Sequence, residues 1–183
     1  MSRVPRHHLE SELVAPVTRF FEKRGYRCYR APDGQDYLDL VARKGGEIGL
    51  VELKLSAAAT VMTQALRRRG WGDWVAVALE GRRAAVRALD SPGGEYRKRV
   101  GILAVEGSFV EELRPYRPIH NPGEPHPFPE LKRRLMELLD ALDSGTLPPG
   151  VGWGALWPAW AGGRRAGREW RLDELDEGLA PSS

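Results

Sequence analysis

The chain has 183 residues, 42% hydrophobic and 29% charged, with a formal net charge of +3 at pH 7. That length suits one domain of ordinary size plus an appendage, and the single cysteine, Cys28, excludes an internal disulfide framework and suits a reducing compartment. No segment approaches the roughly 18 consecutive apolar residues of a membrane span, and the polar stretch Met1 to Glu10 lacks a signal-peptide core, so a soluble, cytoplasmic protein is expected.

Leu9, Leu13, Val17, Phe20 and Phe21 recur at helical spacing, which predicts a helix from Leu9 to Arg24 with Gly25 as its C-cap. Pro16 removes a donor that would have bonded the carbonyl of Glu12, so the first turn is kinked or the helix begins later than the periodicity suggests. Tyr26 to Arg30 alternates as a strand, and Pro32-Asp33-Gly34 turns it. Tyr37 to Arg43 and Gly49 to Leu55 are the next two strands, joined by the tight connection Lys44-Gly45-Gly46-Glu47 into a hairpin.

Ser56 to Arg69 reads as a helix with Val61, Ala65 and Leu66 on its inner stripe, ended by Gly70. Trp74 to Leu79 is a continuous apolar run typical of a buried strand. A short strand at Ala84 to Leu89 and a helical turn through Tyr96 to Val100 are expected next, then a strand at Gly101 to Val105. The order predicts an α/β fold whose mixed sheet is antiparallel at one side and parallel at the other, flanked by helices.

After Leu113 prolines arrive in quick succession, which divides the chain into a core, 1–114, and an extension, 115–183. The extension contains a helix from Pro129 or Glu130 to Leu142, stopped by Gly145, and a Trp-rich tail. Trp153, Trp157, Trp160 and Trp170, interleaved with Arg164, Arg165, Arg168 and Arg171, suit packing of this tail against the domain, a dimer face or the stacking of exposed bases. His7, His8, His120 and His126 fit no metal-ligand spacing.

The chemistry concentrates on Val51-Glu52-Leu53-Lys54. Alternation points Glu52 and Lys54 to one face of the strand and Val51, Leu53 and Leu55 to the other. Charges on a strand that otherwise reads as buried are expensive unless a metal or an opposite charge compensates them. Asp39, deep in the preceding apolar run, supplies a second carboxylate on the neighbouring strand, and Glu12 joins the set if the first helix packs across the hairpin. Two such carboxylates can share a hard divalent cation with the Leu53 carbonyl, and Lys54 then orients a nucleophile or offsets charge on a phosphate.

Asp39 followed by Glu52-Leu53-Lys54 on the next strand, between an acidic helix and a Gln-bearing one, resembles the PD-(D/E)xK nuclease superfamily. Leu38 stands where the name-giving proline would be. The stretch from Glu12 to Val105 is similar to a group of uncharacterised bacterial PD-(D/E)xK phosphodiesterases, through Val51-Glu52-Leu53-Lys54-Leu55-Ser56, Gln64-Ala65-Leu66, Trp74-Val75-Ala76-Val77-Ala78 and Arg97-Lys98-Arg99-Val100-Gly101-Ile102-Leu103.

The resemblance implies a restriction-endonuclease-like fold and a Mg2+- or Mn2+-dependent phosphodiesterase acting on DNA. It assigns Asp39 and Glu52, with the Leu53 carbonyl, as metal ligands, Lys54 as the catalytic lysine and Glu12 as the helix acid. Gln64 corresponds to the glutamine of a QxxxY-type helix, with Arg68 where the tyrosine would stand. Arg67, Arg68, Arg69, Arg97 and Lys98 are the candidate DNA contacts, and a homodimer is compatible with the reading. The alternatives are a nucleic-acid-binding module of the same fold without catalysis, and an adaptor that recruits a partner through the Trp-rich tail.

Overall fold

The computed structural model describes residues 9–30, 39–56, 59–67, 70–90, 94–121 and 123–146. They fall into two compact units that divide between Glu124 and Pro125. The boundary lies beyond the 114/115 break expected from proline content, because the ring of Tyr116 stacks on Trp74 at 4.0 Å and Ile119 is fully buried. The turn proposed at Pro32-Asp33-Gly34 and the Trp-rich tail lie outside the described residues.

The chain enters through a single 3-10 turn, Glu10–Leu13, before α1, Val14–Glu22. The α-helix thus begins later than the apolar spacing suggests. Pro16 falls in its first turn, where an N–H would have had no intrahelical partner. After α1, Gly25 adopts φ +83°, a left-handed conformation that reverses the chain into β1, Arg27–Arg30.

β2, Leu40–Lys44, and β3, Glu47–Lys54, form the expected hairpin. Its two-residue connection is Gly45-Gly46, with Gly45 at φ +59°. α2, Ala59–Arg67, then crosses to β4, Trp74–Glu80, which lies parallel to β3. α3, Arg82–Leu89, and α4, Glu95–Arg99, lead to β5, Gly101–Glu106, parallel to β4. The six-stranded sheet runs in chain order and closes on β6, Phe109–Arg114, antiparallel to β5.

Two elements depart from the sequence reading. The strand expected at Ala84 to Leu89 is the helix α3: parallel β4 and β5 need a crossover that returns to the start of the sheet, and Ala85 and Ala88 bury the inner face of that crossover. β6 was not expected. It is an edge strand, partly exposed along most of its length, and Glu111-Glu112 interrupts the apolar alternation that marks an inner strand.

Each face of the sheet carries its own core. Leu13, Val17, Phe20 and Phe21 pack on Leu40, Val51, Leu53, Trp74 and Ala76 on one face. Val61, Met62, Ala65 and Leu66 of α2 and Ala85 and Ala88 of α3 pack on Val75, Val77, Leu79 and Ile102 on the other. β4 therefore reads as a continuous apolar run because successive residues serve opposite cores. In the second unit, α5, Pro129–Ser144, buries Leu135, Leu138 and Leu139. Pro129 opens it and Gly145, at φ +65°, ends it as the sequence predicts.

Candidate active site

The β2–β3 register pairs Leu40 with Val51, so Asp39, one residue before β2, falls beside Glu52 on the same face. β4 sets Val77 next to Glu52, and Val77 belongs to the core covered by α2. Glu52 is 5% exposed and is the buried charged side chain among the described residues. One Asp39 carboxylate oxygen, Oδ2, accepts the Leu53 N–H at 2.7 Å. The N–H and C=O of a strand residue project to the same side, so the Leu53 carbonyl also points towards the Asp39 side of β3.

Lys54, the last residue of β3, donates from Nζ to Glu10 Oε2 at 3.0 Å. Partial burial lowers its affinity for a proton, but the hydrogen bond to Glu10 and the fields of Asp39, Glu10 and Glu52 outweigh that, and its pKa is raised. One ammonium thus faces three carboxylates. Such an excess of negative charge at a partly dry site favours a cation.

The acid that meets Lys54 from the first helical turn is Glu10. Glu12 is exposed, and its Oε2 accepts the Leu9 N–H at 3.1 Å, which caps its own helix. The expectation for Glu12 rests on a helix that runs from Leu9 and packs across the hairpin. A 3-10 turn advances about 120° per residue, which brings Glu10 to the end of β3 instead.

Gln64 lies on α2, the helix covering the Glu52 face, and its Oε1 is buried without a hydrogen bond. It does not bond Glu52 or Lys54. The backbone of Arg67 and the helix carrying Arg97 and Lys98 stand apart from the carboxylates. α2 starts near the end of β3 and runs back to the start of β4, so its nine residues carry Arg67 about 13 Å along the sheet. α4, with Arg97 and Lys98, precedes β5 and packs against α2, at that same far end.

Much of this second cluster is engaged locally. Lys98 pairs with Glu95 at 3.4 Å, and the neighbouring Arg99 donates to the carbonyls of Pro118 and Ile119 and to Asn121. Arg68 and Arg69 lie outside the described residues. Cys28 offers no nucleophile, since burial and then Glu22 push its thiol up to about 12.

The donor set at Asp39, Glu52 and Leu53 suits a hard, oxygen-loving ion that keeps several waters. Among the described residues no group of three His, Cys, Asp or Glu side chains could hold a metal, so an ion here would need the backbone oxygen and water.

Fold and site together define a mixed α/β sheet protein with a carboxylate–lysine cluster at the carboxyl end of β3. No family model matches the chain, and no curated protein does. Among solved structures it is similar to a protein of unknown function from Silicibacter pomeroyi, with 19% identity and a TM-score of 0.49, over 80% of this chain and 99% of that one. No helix among the described residues is long and apolar enough to cross a membrane.

Proposed function

We propose that this protein is a metal-dependent phosphodiesterase of the restriction-endonuclease-like, PD-(D/E)xK kind, and that it hydrolyses DNA. The observation that carries the reading is the grouping of Asp39, Glu52 and Lys54 on one face at one strand end, with Asp39 fixed by the Leu53 N–H. A buried carboxylate costs several kcal/mol unless compensated, and a purely structural sheet gains nothing from keeping three acids around one lysine.

In this reading Asp39, Glu52 and the Leu53 carbonyl hold Mg2+ or Mn2+. When bound, the ion lowers the pKa of a coordinated water and offsets charge on the phosphate. Asp39 is oriented in advance by its backbone hydrogen bond, which lowers the reorganisation that a ligand to a metal needs. The Lys54 ammonium directs a proton towards the attacking water or a non-bridging phosphate oxygen, and Glu10 keeps it there. The water oxygen bonds phosphorus as the water releases a proton to solvent, the bond to the leaving sugar oxygen breaks, and that oxygen takes up a proton from solvent in return.

The test incubates the full chain with single-stranded, double-stranded and branched DNA, with Mg2+, Mn2+ or EDTA. Cleavage that requires the metal is expected. Cleavage that survives both Glu52→Gln and Lys54→Met would remove the site from the reaction, and binding without cleavage under every metal condition would make the protein a binding module.

The two helix acids can be separated in the same assay. Glu10→Gln should slow cleavage about tenfold, the worth of one charge-assisted hydrogen bond. Glu12→Gln should leave the rate within about twofold, since Glu12 is exposed and its amide replacement can still accept the Leu9 N–H. Equal losses would return the role to Glu12.

A further inference from the structure

The outer face of α3 and the ring of Phe109 are the strongest features that this reading leaves unused. α3 reads Arg-Arg-Ala-Ala-Val-Arg-Ala-Leu, with no acidic residue. Ala85 and Ala88 are buried, which turns Arg83 and Arg87 to solvent. These two stand one helical step apart, about 6 Å along the axis, and among the described residues neither has an acidic partner. Like charges at that spacing weaken a helix, so the pair is kept at a cost. Arg82 is different: its N–H donates to Glu106 Oε1 at 3.1 Å and its Nε to Glu111 Oε2 at 3.2 Å.

Those two bonds pin the first turn of α3 to the β5–β6 hairpin, where Phe109 stands opposite Glu106. Val110 packs into the α1 core, so Phe109 faces the α3 side, and it is 65% exposed. An aromatic ring left in water on the face that carries α3 departs from the ordinary surface pattern. Both features lie at the catalytic end of the sheet. β3, β4 and β5 are parallel, so Lys54, Gly81 and the turn before Phe109 all follow carboxyl ends, and α2 and α3 cover the same face as Glu52. Three strand spacings, about 14 Å, separate β3 from β6. A nucleic-acid strand covers that in a few nucleotides.

We propose that Arg83 and Arg87 hold the phosphates of a DNA strand whose scissile bond lies at Glu52 and Lys54, and that Phe109 stacks an unpaired base of that strand. The inference rests on the phosphodiesterase reading and names its substrate: single-stranded DNA, or a duplex with a single-stranded end. Phosphates supply the negative charge that the arginine pair lacks. Only a base without a neighbour in a duplex stack offers a free face to the ring.

The experiment measures fluorescence anisotropy of a labelled single strand and of a blunt duplex of equal length, on the full chain carrying Glu52→Gln so that the probe survives. Circular dichroism checks that each further variant is folded. Arg83→Glu with Arg87→Glu should weaken single-strand binding more than tenfold and flatten its salt dependence. Phe109→Ala should weaken it about tenfold and leave duplex binding within twofold. Arg19→Glu with Lys23→Glu, on exposed positions of α1 and its C-cap over the opposite face, is the charge-matched control and should change little.

Equal losses from the control, no loss from the α3 pair, no loss from Phe109→Ala, tighter binding of the blunt duplex, or no binding of DNA at all would each overturn the proposal. Wild-type protein that cleaves while the α3 and Phe109 variants bind normally overturns this surface alone. Binding that depends on Arg83, Arg87 and Phe109 without any metal-dependent cleavage overturns the phosphodiesterase reading and leaves the surface standing.

Discussion

Glu52→Gln is expected to abolish DNA cleavage and, in the same protein, to raise the melting temperature. The carboxylate is 5% exposed and shares the field of one lysine with Asp39 and Glu10. Replacing it by a neutral amide of the same shape removes a desolvated charge, worth about 1–2 kcal/mol of added stability. The same change removes a proposed metal ligand, and cleavage should fall on the order of a thousandfold. Single-turnover rates at saturating Mg2+ and thermal unfolding in EDTA read the two effects separately.

Lys54→Met is the mirror case. Cleavage should fall comparably, but the melting temperature should drop, because Glu10, Asp39 and Glu52 lose the ammonium they share. The pKa of Lys54 is raised in the fold, so its contribution to stability is complete below the ordinary lysine pKa and is lost as pH rises through the higher folded value. The difference in melting temperature between wild type and Lys54→Met should therefore hold at neutral pH and narrow only in strong alkali. A Glu52→Gln protein that is less stable and still cleaves would make Glu52 a structural residue.

The largest loss of stability is expected at the other end of β3. Trp74 stacks on Phe21 at 5.3 Å and on Tyr116 at 4.0 Å, and its Nε1 donates to Glu47 Oε1 at 2.6 Å. The same carboxylate oxygen accepts the Tyr26 hydroxyl at 2.8 Å. Trp74→Ala removes the centre of this cluster and one of the donors to Glu47, and should cost about 3–5 kcal/mol, a large part of the total stability of a domain. Gly49→Ala fails for the opposite reason, since a Cβ there would lie 1.9 Å from the Trp74 ring. Overpacking of that kind costs about 1–3 kcal/mol.

The two defects share one space, so they should not add. In the Trp74→Ala background the Gly49→Ala change should be nearly neutral, a coupling of about 1–2 kcal/mol measurable by urea unfolding of the four proteins in the cycle. Additive losses would show that Gly49 is constrained by something other than the indole.

Local chemistry announced part of this arrangement. Two glycines between alternating runs specify the β2–β3 hairpin, and the period of two puts Glu52 and Lys54 on one face wherever that strand is placed. Asp39 stands just before the apolar run of β2, and the hairpin register sets it beside Glu52. The helix from Pro129 was readable from its own stripe and stops. Other features were not local. Ala84 to Leu89 suits a strand or a helix, and the parallel pairing of β4 and β5 decided for the helix. As an edge, β6 tolerates the charges that hid it.

By itself, then, the sequence determined the charged strand, its hairpin partner and the face that Glu52 and Lys54 share, because strand alternation and turn chemistry act over a few residues, while the hairpin register set Asp39 on that face. Only the tertiary structure decided which charges meet. Glu10 reaches Lys54 because the chain enters through a 3-10 turn, and Arg67, Arg97 and Lys98 are carried away from the carboxylates because α2 runs back along the sheet. The start of α3 and Phe109 come to the same sheet end as Lys54 because parallel strands gather their carboxyl ends there. Charge acts through space, and the distances between these groups are set by the path of the backbone.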